Sequence, residues 1–486
     1  MTEMDTILQP SPLSFGSISL EAIIQNGYRL DVSAYNMMAL NAISKVSNSS
    51  YGSQNLSDLI EAPFVGDRFK RIYTDSSDDI PFFLPSDIED VYPKPSKFIS
   101  AKTDADIDSL RIWKDMLLIT CSGTIGKTSL VGKVLDGQVM SHDLIRTKVK
   151  KEYDLGYIYA FFNTEVGLTI LQSNNYGAVI DHIEPEHLYK IPIPKAPSEK
   201  KKEIHALIQQ SFNLRDKSND LILAAQKKLY KELCLPDVTS LTQEQYSNVA
   251  GFNNFSVKLS QSDLRLDGSY HVPIVDTIIK EISKKAEYIA KIGDKEISED
   301  IILPGRFKRI YVDKEHGIPF FGGKQLLSLN PSNLKYLSPL HHGERIEDQL
   351  YLKENMCAIS CSGTIGKVMI VPKHWEGWTM NQHVIRIVPK SNDIAGYIYA
   401  WVDSSYCKPL IERYIYGSVV DEVDDNQIAE IPIPIIKNKE ALKEINDKVL
   451  EANRLRYKAY QKEQEAIERM NRIIEEKSNG DDSIGE

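Results

Sequence analysis

Gly123-Thr124-Ile125-Gly126-Lys127-Thr128 gathers two glycines, a lysine and two hydroxyls into one short stretch. These are the groups with which a chain cradles phosphate, since glycine frees backbone amides and lysine neutralises charge. A nucleotide loop of the form G-x-x-x-x-G-K-S/T needs glycine at 121, however, and Cys121 stands there. The same letters return at 361 to 367, where Cys361 again replaces the glycine and Val368 replaces the final hydroxyl. Neither copy has a nearby hydrophobic run ending in Asp to hold magnesium, so nucleotide hydrolysis is set aside. The stretch reads as a glycine-bearing turn between two strands. Its remaining chemistry is contact with a DNA phosphate or base edge, through Ser122, Thr124 and Lys127 and their counterparts Ser362, Thr364 and Lys367.

Ser141-His142-Asp143 and Asn381-Gln382-His383 occupy equivalent places, and each is followed by Ile-Arg (Ile145-Arg146, Ile385-Arg386). The histidines lack a matching serine and carboxylate in both halves. No HExxH, no Cys/His metal spacing, no Asn-Pro-Pro-Tyr-type methyltransferase motif, no glycine-rich cofactor fingerprint and no Asp…Glu-x-Lys nuclease motif occurs. The chain is therefore expected to be non-catalytic, without metal or cofactor of its own. Polar tips that differ on a repeated scaffold suit two readers of different sequences, because Asn and Gln address adenine and Arg addresses guanine. His142, Arg146, Gln382, His383 and Arg386 are the candidate readers. Arg68, Lys70 and Arg71, with Arg306, Lys308 and Arg309, are basic clusters shared by the halves and fit phosphate contact, a solvated strand edge being the alternative.

The elements that must carry these residues come twice. Cys-Ser-Gly-Thr-Ile-Gly-Lys recurs after 240 residues, at 121 and at 361. Gly-Asp-Arg-Phe-Lys-Arg-Ile-Tyr at 66 to 73 matches 305 to 311, Ile-Pro-Phe-Phe at 80 matches 318, Gly-Tyr-Ile-Tyr-Ala at 156 matches 396, and Ile-Pro-Ile-Pro at 191 matches 431. The period exceeds that of solenoids and propellers, so a whole domain-plus-helix unit is duplicated. Residues 1–55 read as the N-terminal segment of the first repeat, with Arg29 and Asp31 as a candidate ion pair; 56–195 as the first recognition domain; 196–235 as a spacer helix; and 236–290 as linker and start of the second repeat. Residues 291–436 form the second domain, 437–477 the second helix and 478–486 a disordered tail. Inside the domains, strands are expected at Phe69 to Tyr73, Met116 to Thr120, Ser129 to Val134 and Leu144 to Val149, with counterparts at Phe307 to Tyr311, Met356 to Ser360, Val368 to Val371 and Val384 to Ile387. Apolar steps at Ile204, Leu207, Leu214, Leu221 and Ala225, and from Leu442 to Ile473, predict two helices packed as an antiparallel coiled coil, with Ser211, Ser218, Arg456 and Glu463 as polar interruptions. At about 1.5 Å per residue they would be ~54 and ~60 Å long, a rod holding two domains apart.

Composition is that of an ordinary globular protein: 42% hydrophobic, 26% charged, net charge -10 over 486 residues. The acidic balance argues against indiscriminate coating of nucleic acid. No apolar run reaches the roughly 18 residues of a membrane span, and Met1-Thr2-Glu3-Met4-Asp5 lacks the positive start of a signal peptide, so a cytoplasmic protein is expected. The five cysteines form no CxxC pair and read as reduced thiols in or near cores.

Ser-Gly-Thr-Ile-Gly-Lys at 122 and 362, the Ile-Pro-Ile-Pro exits and the helices behind them resemble the specificity subunit of Type I restriction-modification systems, from about 15 to 475. The resemblance implies an α+β fold of two similar mixed target-recognition domains, separated by a pair of long antiparallel helices in a pseudo-twofold repeat. It implies a non-catalytic reader of double-stranded DNA, each half taking one part of a bipartite site. It implies partners too: two methyltransferase subunits that use S-adenosylmethionine and, in systems that have them, restriction subunits. A subunit of a methyltransferase-only or phage-defence system is the alternative within the class. Outside it stands a coiled-coil scaffold without DNA contact, which the acidic charge favours. The near identity of 68–73 and 306–311 favours phosphate over base contact by those residues.

Overall fold

The computed structural model describes residues 17–25, 36–74, 79–95, 97–173, 182–243, 247–249, 252–261 and 265–476. Arg29, Asp31 and the tail 478–486 lie outside the described residues. The helices that frame the site are α1 (Met37–Ser47), α2 (Glu152–Phe162), α3 (Ser198–Glu232), α4 (Pro273–Lys285), α5 (Asn392–Val402) and α6 (Lys439–Glu475). With 35 and 37 residues, α3 and α6 run roughly 52 and 56 Å.

Positions 204, 208, 211, 215, 218, 222, 225 and 229 of α3 alternate steps of four and three, and nearly all are buried. In α6 the series 445, 449, 452, 456, 459, 463, 466, 470 and 473 does the same without a gap. A 3.5-residue repeat on two helices that could not stand alone in water gives a coiled coil. Glu203–Arg469 at 2.7 Å, Arg215–Glu463 and Lys228–Glu444 fix its antiparallel sense. The polar interruptions lie inside the seam, not outside it. Ser211 is small enough for close approach, and its hydroxyl donates to the Ala459 carbonyl at 2.8 Å. Glu463 is 2% exposed and accepts from Arg215 and from the Tyr159 hydroxyl. Arg456 is buried beside Asn219, 3.4 Å away.

Each recognition block is built on a four-stranded antiparallel sheet. In the first the order is Phe64–Val65, Leu144–Thr147, Leu117–Thr120, Thr128–Leu130; in the second it is Ser298–Ile302, Val384–Pro389, Cys357–Ser360, Val368–Ile370. A second sheet, four-stranded in the first half and three-stranded in the second, carries Ile80–Phe83 or Ile318–Phe321 at an inner position. The stretches at 69 and 307 depart from expectation: only Tyr73–Thr74 is strand, and Phe307 to Tyr311 is irregular apart from a bridge at Tyr311. Arg71 and Arg309 are drawn inward to the loops beside them, which breaks the alternation of a strand.

The repeated motifs weld block to rod. A Cβ on Gly156 would stand 2.7 Å from the His205 Cα of α3, and one on Gly396 would stand 2.3 Å from the Asn446 carbonyl oxygen of α6, so only glycine lets these helices touch. The Gly396 amide donates to Asn446 Oδ1 at 2.8 Å, as Gly156 does to His205 Nδ1 at 3.2 Å. The tyrosine that follows each glycine donates its hydroxyl to the last proline of Ile-Pro-Ile-Pro, Tyr157 to Pro194 and Tyr397 to Pro434. Those proline strands pair with Ser53–Asn55 and Ala286–Lys291, which lead from α1 and α4.

Beside the rod the two blocks also meet directly. Val91 donates to the Leu327 carbonyl at 2.8 Å, Asp90 and Ser328 form an antiparallel bridge, and Lys94 pairs with Asp403 at 2.7 Å. Asp90 and Ser328 are equivalent positions, so the pseudo-twofold axis passes through this contact. Burial, opposed by Lys367 and aided by Asp87 and Glu89, pushes the Asp90 carboxyl up to about 7. A raised acid binds its proton more tightly folded than unfolded, so its contribution to stability is full at low pH and is lost as pH climbs from about 4 through 7. Asp90→Asn is therefore expected to raise the thermal midpoint at pH 8 more than at pH 5; equal shifts at both would contradict this.

All five cysteines are unbridged, and Cys234 is exposed while the others are buried. No helix among the described residues is long and apolar enough to cross a membrane.

Candidate nucleic-acid interface

The glycine turn is a closed hairpin loop with the same bonds in both halves. The Thr120 hydroxyl donates to the Thr124 carbonyl at 2.6 Å and accepts from the Lys127 amide at 3.0 Å; Ser360 does likewise with Thr364 and Lys367, at 2.6 and 2.9 Å. Gly123 and Gly126 sit at φ +72° and +87°, and Gly363 and Gly366 at +74° and +81°, a region that disfavours any side chain. With its inner groups satisfied, the loop turns Thr124 and Thr364 out to solvent and leaves Ser122 and Ser362 half-exposed.

Beside each loop lies a polar tip, because the strand ahead of the loop pairs with the strand that leaves the tip. Arg71 reaches into the first tip and donates to Ser141 Oγ at 2.9 Å and Asp143 Oδ2 at 3.2 Å. Arg309 does the same in the second, donating to Gln382 Oε1 at 2.7 Å. Both guanidiniums also stack over a phenylalanine, Phe82 at 5.5 Å and Phe320 at 5.4 Å. Burial lowers the pKa of His142 and of His383; Asp143 and Glu422 oppose that, while Arg71 and Arg68, or Arg309 and Arg306, reinforce it. A neutral imidazole offers one donor and one acceptor, the pair that base edges ask for. Among the described residues Arg68, Lys70 and Lys308 form no ion pair, and Arg306, 80% exposed, has only a 3.6 Å contact with Glu422. Solvated cations around a tip of fixed polar groups can hold phosphates while the tip addresses bases.

Residues 314–462 match the family model for the Type I restriction modification DNA specificity domain. The chain carries such a specificity domain. No curated protein matches the chain. Among solved structures, the Type I restriction-modification S subunit from M. genitalium is similar at 12% identity, covering 88% of this chain and 96% of that one with a TM-score of 0.32. The HsdS subunit from Thermoanaerobacter tengcongensis is 12% identical over 88% and 97%, with a TM-score of 0.26. A chain from a structure titled for complex assembly and conformational transition of the type I R-M system is 13% identical over 87% and 97%, at 0.26.

One pair of expected DNA contacts in and around the specificity domain is corrected by burial, and a second by the acids that hold it. Arg146 and Arg386 are fully buried. The Arg146 guanidinium donates to the carbonyls of Leu144 at 2.8 Å, Met140 at 3.1 Å, Ser141 at 3.0 Å and Leu110 at 3.2 Å, and Arg386 donates to Val384 and Met380. Neither can reach DNA; each is a strut under the tip. Burial lowers them to about 10 and about 9, still charged at neutral pH. Replacing Arg386 by Met removes bonds from a charged donor worth about 1.5–3 kcal/mol each. Amide exchange at 380–384 is expected to rise at least about tenfold, with 140–144 unchanged; equal exchange would show that the strut is idle. Lys127 pairs with Glu89, which also accepts from Ser332 of the second half, and Lys367 lies near Asp87 and Asp90, so both sit at the contact between halves.

One repeated element passed unread. Tyr416-Gly417-Ser418-Val419-Val420-Asp421 echoes Tyr176-Gly177-Ala178-Val179-Ile180-Asp181 at the same spacing of 240. That spacing was the signal that could have found it. The first copy lies outside the described residues; the second flanks the glycine loop of the specificity domain.

Proposed function

We propose that the chain is the DNA-reading subunit of a modification complex, in which each half holds one part of a bipartite duplex site. Arg68 and Lys70, with Arg306 and Lys308, take phosphates, and Ser122, Thr124, Ser362 and Thr364 add hydroxyls beside them. His142 and its neighbours in one half, and Gln382 and His383 in the other, face base edges, held by Arg71 and Arg309. The carrying observation is a common frame with different tips, Ser141-His142-Asp143 against Asn381-Gln382-His383. Two methyltransferase subunits, one per half, supply the chemistry with S-adenosylmethionine, and restriction subunits join in systems that have them. The cytoplasm is where such a complex meets its DNA.

The test is co-expression with the methyltransferase subunit encoded beside it, followed by single-molecule sequencing of host DNA for N6-methyladenine. A two-part motif with a fixed spacer is expected. Grafting Asn381-Gln382-His383 onto 141–143 should then change one half of the motif and leave the other. A stable complex that methylates nothing would overturn the reading.

A further inference from the structure

Between Tyr416 and Glu422 the chain turns back on itself, the two residues exchanging both backbone hydrogen bonds at 3.0 and 2.8 Å. The knuckle is clamped to the glycine loop, since Gly363 donates to the Asp421 carbonyl at 2.9 Å, Val423 donates to Cys361 at 3.0 Å and Glu422 bridges to Ser362. Gly417 takes φ +118°, and a Cβ there would meet the Val420 carbonyl oxygen at 2.1 Å. So tight a turn serves to hold its tip out. Val419 is 94% exposed and Val420 49%.

An apolar tip in water gains nothing from folding, yet Val179-Ile180 stands at the same step of the first repeat as Val419-Val420. What both halves keep alike should touch something both halves meet alike. Base pairs are excluded, because the two tips beside these loops differ. The sugar-phosphate backbone is common to both half-sites, but Asp421, matched by Asp181, would face it with like charge. A protein subunit bound once per half satisfies every term, since an apolar anchor seated in a pocket and rimmed by complementary charge is how interfaces concentrate their affinity. Resting on the proposed function, we infer that the 417–421 knuckle is a docking point for the methyltransferase subunit, whose receiving surface is an apolar pocket with basic groups at its rim. The contact lies next to the DNA-facing loop, where it would aim the modifying subunit at the base being presented.

The test is native mass spectrometry and titration of the full chain with the methyltransferase subunit encoded beside it, for wild type, Val419→Asp and Val419→Ser. Val419→Asp should weaken one of two bound subunits at least about tenfold, and Val419→Ser less, with thermal midpoint and affinity for a random-sequence duplex unchanged. Methyltransferase affinity within twofold of wild type would overturn the inference. Loss of duplex affinity with the complex intact would overturn it in favour of DNA contact. A wild-type chain that binds duplex but no methyltransferase would also defeat it while leaving DNA reading in place; one that binds neither would defeat the proposed function itself.

Discussion

Glu463→Gln is expected to cost about 3–5 kcal/mol of unfolding free energy, because it strands the Arg215 guanidinium in the coiled-coil seam without its counter-charge. The Arg215 side chain is 14% exposed and Glu463 2% exposed, so little water is at hand to compensate. The Tyr159 hydroxyl, 2.5 Å from Glu463, loses its charged acceptor at the same time. Adding Arg215→Met to Glu463→Ile should recover most of the loss, since a well-packed apolar pair often matches a buried ion pair or betters it. The chain offers half of that swap already, as Ile222 occupies in α3 the place that Glu463 occupies in α6, while Arg456, the counterpart of Arg215, stays buried beside Asn219. Urea unfolding of the full chain for both single variants and the double decides the matter. Additive losses would mean that the two residues are not coupled.

The second large effect concerns salt. Arg306→Ala with Lys308→Ala removes two solvated cations beside the second tip. If both hold phosphates, the slope of log affinity against log salt falls by about 1.8, and affinity near physiological salt drops roughly ten- to hundredfold on any sequence. Lys127→Ala should leave that slope unaltered, because its ammonium is committed to Glu89. A loss with Lys127→Ala as large as with Lys308→Ala would reverse the assignment of free and committed cations.

Much of the fold could be read from residue order. The α6 seam, the duplicated Gly-Tyr-Ile-Tyr-Ala and Ile-Pro-Ile-Pro, and the glycine turn are all local patterns with one physical solution each, whereas in α3 the expected Leu214 and Leu221 flank a seam that runs through 208, 211, 215, 218 and 222. Misreadings came where a side chain's partner is distant. Arg146 looks like a reader because arginine favours guanine, yet it sits between Ile145 and Thr147 on a strand buried throughout. An arginine in such a strand can only be spent inside. The segment at Phe69 alternates like a strand, but Arg71 folds down onto a tip 70 residues away in sequence. The contact of Val91 with Leu327 has no motif at all, because it is made by backbone atoms and by packing, which any apolar side chain can supply.

The bridge between Asp90 and Ser328 lies where a homodimer would place its axis. In a symmetric pair every substitution lands twice, and at an axis it must suit its own copy. Fusing two copies into one chain lifts that demand. Lys201 and Asp154 form a buried ion pair at 3.0 Å in the first half, while the corresponding residues of the second, Leu442 and Ile394, are plain hydrocarbons. Glu463 and Ile222 have parted in the same way. Once each half could change alone, the two halves became free to diverge in what each presents.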